Sequence, residues 1–184
     1  GLQRSFNYRV GVPENAPNVI ADGAHWRAVP QAYYYLGPFG IYGEYAMSDM
    51  NIRQAGAGLG AGTELGALNR AWQISGSWFL TGEANSFKSV TPKHNFLGWS
   101  HGWGAWELAA RVGGLDVDNR AFPVFADPTK STSGSFSVGV GLNWHLNRNV
   151  LFNVDYEQTG FHGGSTPLFE HGEKVIMTRA QVSF

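Results

Sequence analysis

A period of two constrains this chain more than any other feature. From Ser135 to His145, Phe136, Val138, Val140, Leu142 and Trp144 take every second position, and Ser137, Gly139, Gly141, Asn143 and His145 fill the places between. Successive side chains of an extended strand point to opposite sides, so this run is a strand with one apolar face and one small, polar face. A helix would scatter the same residues around its circumference. The pattern recurs. Within 103–115, Trp106, Leu108, Ala110 and Val112 oppose Ala105, Glu107, Ala109, Arg111 and Gly113. Within 150–157, Val150, Phe152, Val154 and Tyr156 oppose Asn153, Asp155 and Glu157, with Leu151 alone breaking the polar row. Segments 39–48, 72–81 and 175–184 alternate likewise, and two weaker ones, Ser5 to Val12 and His25 to Leu36, precede them, the second interrupted by Pro30. The period predicts about eight strands and an all-β fold.

Composition narrows the class. With 43% hydrophobic and 14% aromatic residues the chain is too apolar for a disordered protein, while 25 Gly and 8 Pro disfavour helix interiors. No stretch approaches the ~20 apolar residues of a transmembrane helix, but strands offer a second way across a membrane. The absence of Cys excludes a disulfide scaffold, thiol catalysis and cysteine zinc sites. A net charge of -1 without any Lys/Arg-rich run argues against a nucleic-acid partner. Neither a cofactor nor a metal is expected: the six histidines lack ligand spacing, and the glycine-rich run at 56–62 lacks the Gly-Lys-Ser/Thr ending of a phosphate loop.

The connections alternate in length. Gly37-Pro38 and Asn147-Arg148-Asn149 read as tight turns, whereas 54–69, 116–134 and 160–173 are long. Short turns on one rim and long loops on the other are the layout of bacterial outer-membrane barrels. Segment 83–101 falls on the short-turn rim, where it is expected either to plug the lumen or to signal a miscounted strand. A soluble sandwich alternates too, so the other face must decide. Here it carries Ser, Gly, Asn and Gln with few charges, which suits a confined, hydrated interior. Tyr34, Phe39, Trp144 and Tyr156 sit near strand ends as an interfacial girdle requires, with core packing as the alternative. The final alternation ending on Phe184 has the form of the assembly signal read by the barrel-assembly machinery.

Local blocks extend this reading. Leu36-Gly37-Pro38-Phe39 with Gly43-Glu44-Tyr45, Gly76-Ser77-Trp78-Phe79-Leu80-Thr81-Gly82-Glu83, the run from Gly102 to Arg111, Gly141-Leu142-Asn143-Trp144, and Arg179-Ala180-Gln181-Val182-Ser183-Phe184 occur in order. In these the chain resembles the carboxy-terminal half of the phosphate-selective porin O/P family over residues 9–184. The resemblance implies an antiparallel transmembrane β-barrel in the bacterial outer membrane, a passive channel with no catalysis, small inorganic or organic anions as solutes, and a homotrimer. At about 23 residues per strand and connection, a sixteen-stranded barrel needs about 370 residues. Residues 1–184 are therefore expected to be the carboxy-terminal part of one barrel domain, with about eight strands present.

The expected lipid-facing residues are Trp106, Leu108, Phe136, Val138, Val140, Leu142, Trp144, Phe152, Val154 and Tyr156. The expected lumen-lining residues are Arg111, Arg179, Glu107, Glu44, Asp155, Glu157 and Asn143. Two roles stay open for the arginines. With Arg9, Arg27 and Arg70 they form a cationic wall for anions, or they form interior salt bridges to Glu44, Glu107, Asp155 and Glu157. Three further alternatives remain: a complete eight-stranded anchor or adhesin barrel, a jelly-roll glycoside hydrolase using Glu44 and Glu107, and a glycosidase pair at Asp155 and Glu157.

Overall fold

The computed structural model describes residues 6–9, 18–57, 60–88, 90–98, 101–163 and 172–183. Eight strands follow in order: β1 (Asn18–Ala28), β2 (Gln31–Leu36), β3 (Phe39–Ala55), β4 (Glu64–Phe79), β5 (Ala105–Asp116), β6 (Gly134–His145), β7 (Val150–His162) and β8 (Glu173–Val182). Every paired neighbour is antiparallel, and all eight belong to one sheet. The alternating segments are thus strands.

The sheet does not close. Its order runs β1-β3-β4-β5-β6-β7-β8, with β2 pairing β3 as well, and no ladder joins β8 to β1 or β2 among the described residues. The expected transmembrane β-barrel is corrected to an open antiparallel sheet, and the complete eight-stranded anchor barrel falls with it. The cause lies in how the first strands are used. β1 pairs with the 47–55 half of β3 and β2 with the 39–44 half, so the two lie in line along one edge and widen the sheet by a single strand. The break comes at Val29-Pro30, where proline offers no N–H; the Pro30 carbonyl instead accepts from the Tyr45 amide at 3.0 Å. Of the weak candidate at 5–12, Tyr8 makes only an isolated bridge to Ala126, and residues 1–5 and 10–17 lie outside the described ones. A jelly roll needs two facing sheets, and one sheet holds every strand described.

β3 and β4 run farther than alternation predicts, so the connection expected over 54–69 shrinks to 56–63. At this end the sense of the two faces inverts. Ile52, Gln54 and Ala67, on the otherwise polar side, are buried, while Asp49 and Arg53 stand on the other. The inversion is caused by the β5–β6 connection, which folds back over the polar side. Its 3-10 turn at Asn119–Ala121 places Ala121 and Phe125 against Ile52 and Ala67 in the hydrophobic core. Asp118 pins it, with Oδ2 accepting from the Leu68 amide at 3.0 Å and its own N–H donating to Asn69 Oδ1 at 3.1 Å.

The β4–β5 connection straddles the opposite rim. The Asn85 amide donates to the Gly37 carbonyl at 2.7 Å and its side chain to Ser77 Oγ at 2.6 Å on the polar side. The Phe96 amide donates to the Leu146 carbonyl at 2.7 Å, and its ring meets Trp144 on the apolar side at 5.0 Å. Gly40 leaves room for this crossing, since a Cβ there would stand 2.8 Å from Asn85 Nδ2. The segment is a strap over the rim, and its described residues form no strand between β4 and β5.

Candidate functional site: the polar face of the sheet

Register collects the expected residues on two sides. Trp106, Trp144 and Phe152 share one row across β5, β6 and β7; Leu108, Leu142 and Val154 share the next, and Val140 and Tyr156 the one after. Val138 stands opposite Val112, and Phe136 opposite Gly114. Trp106 and Trp144 stack at 5.0 Å and 15°, as broad rings on neighbouring strands do. This apolar side is open, with Val140 55% exposed.

The seven polar candidates lie on the opposite side. Arg111 faces Gly139, and Gly139 faces Glu157, so the glycine row lets the guanidinium cross β6 and pair with the Glu157 carboxylate. One row set farther toward the short turns, Asn143 Nδ2 donates to Glu107 Oε2 at 2.9 Å. Asn153 Nδ2 then donates to Asn143 Oδ1 at 2.7 Å and to Asp155 Oδ1 at 3.0 Å. An amide relay thereby links carboxylates on β5 and β7. His145 Nε2 approaches Glu107 at 3.6 Å beside the Phe79 ring. Arg179 faces Asn153 in register, and its guanidinium donates to the neutral Gln181. Glu44 accepts from Tyr42 Oη at 2.5 Å and Gln31 Nε2 at 3.1 Å. Cavities of about 260 and 320 Å³ open on either side of Arg111.

The wider arginine set divides. Arg27 shares the polar side, opposite Ser48. Arg9 is committed to the β5–β6 connection, where Nη2 donates to the Pro123 carbonyl at 2.7 Å. Arg70 is corrected outright: it stands opposite Met47 and Asp116, on the side that carries Trp72 and Trp78. The hydrolase pairings also fail on geometry. Glu44 is registered with Gln73 and thence Gly113, six residues along β5 from Glu107, which is ~20 Å. Glu157 is engaged by Arg111, and Asp155 by Asn153.

Tyr33, Tyr42, Asn85 and Asn153 join the polar side without being among the seven expected residues, although alternation had set Tyr42 and Asn153 on it. Tyr33 was masked because Tyr34 and Leu36 make both rows of β2 bulky. Asn153 carried a legible signal, being one position in the same polar row as Asp155 and Glu157. Asn85 carried none, since its place depends on the path of a connection.

At the loop rim, Arg120 grips Asp118 through Nη2 at 2.6 Å and reaches the Gly66 carbonyl at 2.9 Å. The guanidinium hydrogen bond, aided by the Leu68 and Arg120 amides against the opposing effect of burial, lowers the Asp118 carboxyl to about 2. Among the described residues no group of three or more His, Cys, Asp or Glu converges as a metal site.

The family model of phosphate-selective porin O and P matches residues 16–184, the full run of strands. The chain belongs to that family. Porins are non-catalytic transport channels, so the porin acts in transport, in the outer-membrane context of its family. No curated protein matches the chain.

Proposed function

We propose that this porin provides a wall along which small hydrophilic solutes diffuse passively, with its apolar side against the lipid of the bacterial outer membrane. The observation that carries this reading is the segregation in register across the middle of the sheet: Glu107, Arg111, Asn143, Asn153, Asp155 and Glu157 stand on one side of β5 to β7, and exposed Leu108, Val138, Val140, Leu142, Phe152 and Val154 on the other. A water-soluble sheet would cover or charge that second side. Solutes would be selected by the width of the passage and by the fixed charges of the polar face.

A preference for phosphate or other small anions is a second reading, favoured by Arg179. It is the one arginine of β5–β8 whose described hydrogen bond goes to a neutral partner, so an anion would not have to displace a carboxylate. Arg111 contributes less, because Glu157 already neutralises it. Homotrimer formation and recognition of Phe184 by the barrel-assembly machinery are carried by the family resemblance alone; Phe184 lies outside the described residues.

The deciding experiment is current through a planar bilayer containing the full-length native protein under a salt gradient. Stepwise conductance is expected, and an anion-directed reversal potential that falls with Arg179→Gln supports the second reading. Inserted protein without conductance would overturn the transport wall.

A further inference from the structure

Three aromatic rings stand side by side at the short-turn end of the polar face. Tyr33 lies 5.8 Å from Tyr35 and 5.0 Å from Phe87 between centroids, at 39° and 46°. Core packing does not account for them, because Tyr33 is 60% and Phe87 72% exposed. An interfacial girdle does not either. Register sets Tyr33 opposite Tyr42 on the polar side, while Tyr34, the next residue, takes the apolar side. Phe87 comes from a different part of the chain, carried there by the strap whose Asn85 amide is fastened to Gly37. Two elements thus converge to expose these rings together on the polar side.

Beside the rings the surface turns to hydrogen-bonding groups. Tyr42 Oη and Gln31 Nε2 both donate to Glu44 Oε2, which fixes the carboxylate next to the aromatic row. We infer that this juxtaposition is a binding shelf for pyranose sugars, a conclusion that rests on the diffusion-wall reading and names a solute class for it. A pyranose has two unlike surfaces, an apolar face of C–H groups and a rim of hydroxyls. The row of tilted rings accepts the first, and the Glu44 carboxylate with the Gln31 amide meets the second, since hydroxyls donate and accept at once. An organic cation would fit less well, because it is held by rings that enclose a common point, and these lie alongside one another.

The test uses full-length protein and maltotriose. Calorimetry on folded, detergent-solubilised protein should give saturable binding, and in bilayers the sugar should interrupt the current. The double variant Tyr33→Ala with Phe87→Ala should weaken binding about tenfold, the order expected for removing two stacking rings. Phe87→Leu alone keeps apolar bulk without a ring in an exposed connection, and it should weaken binding in the same sense if the double variant fails to fold. Sugar binding that persists in protein without conductance supports the shelf while removing the diffusion wall. Absent saturable binding, binding indifferent to Phe87→Leu, tetramethylammonium competing more strongly than sugar, or rings buried between two copies in solution would each overturn the shelf.

Discussion

At the scale of single residues, the polar face works by partners reached across intervening strands. Arg111 and Glu157 meet only because Gly139 between them has no side chain. Both groups retain solvent contact, so Glu157→Gln should cost about 0.2–1 kcal/mol in chemical denaturation. Its larger effect is expected in the reversal potential, which should move toward anions as a guanidinium is released. Asp118 acts through half-buried backbone instead. Asp118→Ala should remove about 1–2 kcal/mol of local stability, seen as faster hydrogen exchange at Leu68 and through 117–133. The sign with pH follows from its lowered carboxyl: the contribution is complete above the ordinary aspartate range near 4 and disappears as pH falls through about 2. Protection at Leu68, its exchange rate taken against that of an unstructured amide at the same pH, should therefore fall as pH drops between those values and stay flat above them.

At the scale of elements, alternation made β5, β6 and β7 legible because each keeps one character per side through its middle, over 105–113, 135–145 and 152–157. It failed on the outer ends of β3 and β4 for a physical reason. There the β5–β6 connection buries Ile52 and Ala67 on the polar side, so the rows exchange character midway and no single period covers the strand. A connection that arrives from 50 or more residues away leaves no trace in the local pattern it alters. The same holds for Asn85. Near-flush rows make a further expectation at this scale. Val140, 55% exposed on the apolar side, should tolerate Leu, whereas Val140→Arg should cost ~2–4 kcal/mol in refolding from denaturant into bilayers. A near-neutral arginine would place that side in water. Gly113→Ala belongs here too: a Cβ would stand 2.9 Å from the Trp72 carbonyl oxygen, a rigid neighbour, so the β4–β5 ladder must shift. A lowered midpoint in urea is expected.

At the scale of the whole molecule, the sequence reading identified strands, sides and family, and missed the outline. Alternation says how a strand divides space and nothing about whether the first strand meets the last. The count of eight was reached for a mixed reason, since the strand expected from Ser5 reduces to a single bridge while the one interrupted at Pro30 divides in two. The side of the sheet was legible where polar residues alternate with apolar ones, as at Asn143 and Glu157. The meeting of Tyr33 with Phe87, which joins separate elements, was not.

The strap over the short-turn rim gives the chain a seam. The described residues between Glu83 and Gly98 lie outside the sheet, while the two parts they join stay bound through ten paired positions of β4 and β5. A protease choosing exposed aromatic or leucine side chains would find Phe87 and Leu97 there, at 72% and 75% exposure. A nick at that point should leave a molecule that still migrates as one until denatured, and two separately produced pieces should find each other on refolding. The porin is in this sense already divided into halves that recognise each other by a zipper of backbone hydrogen bonds.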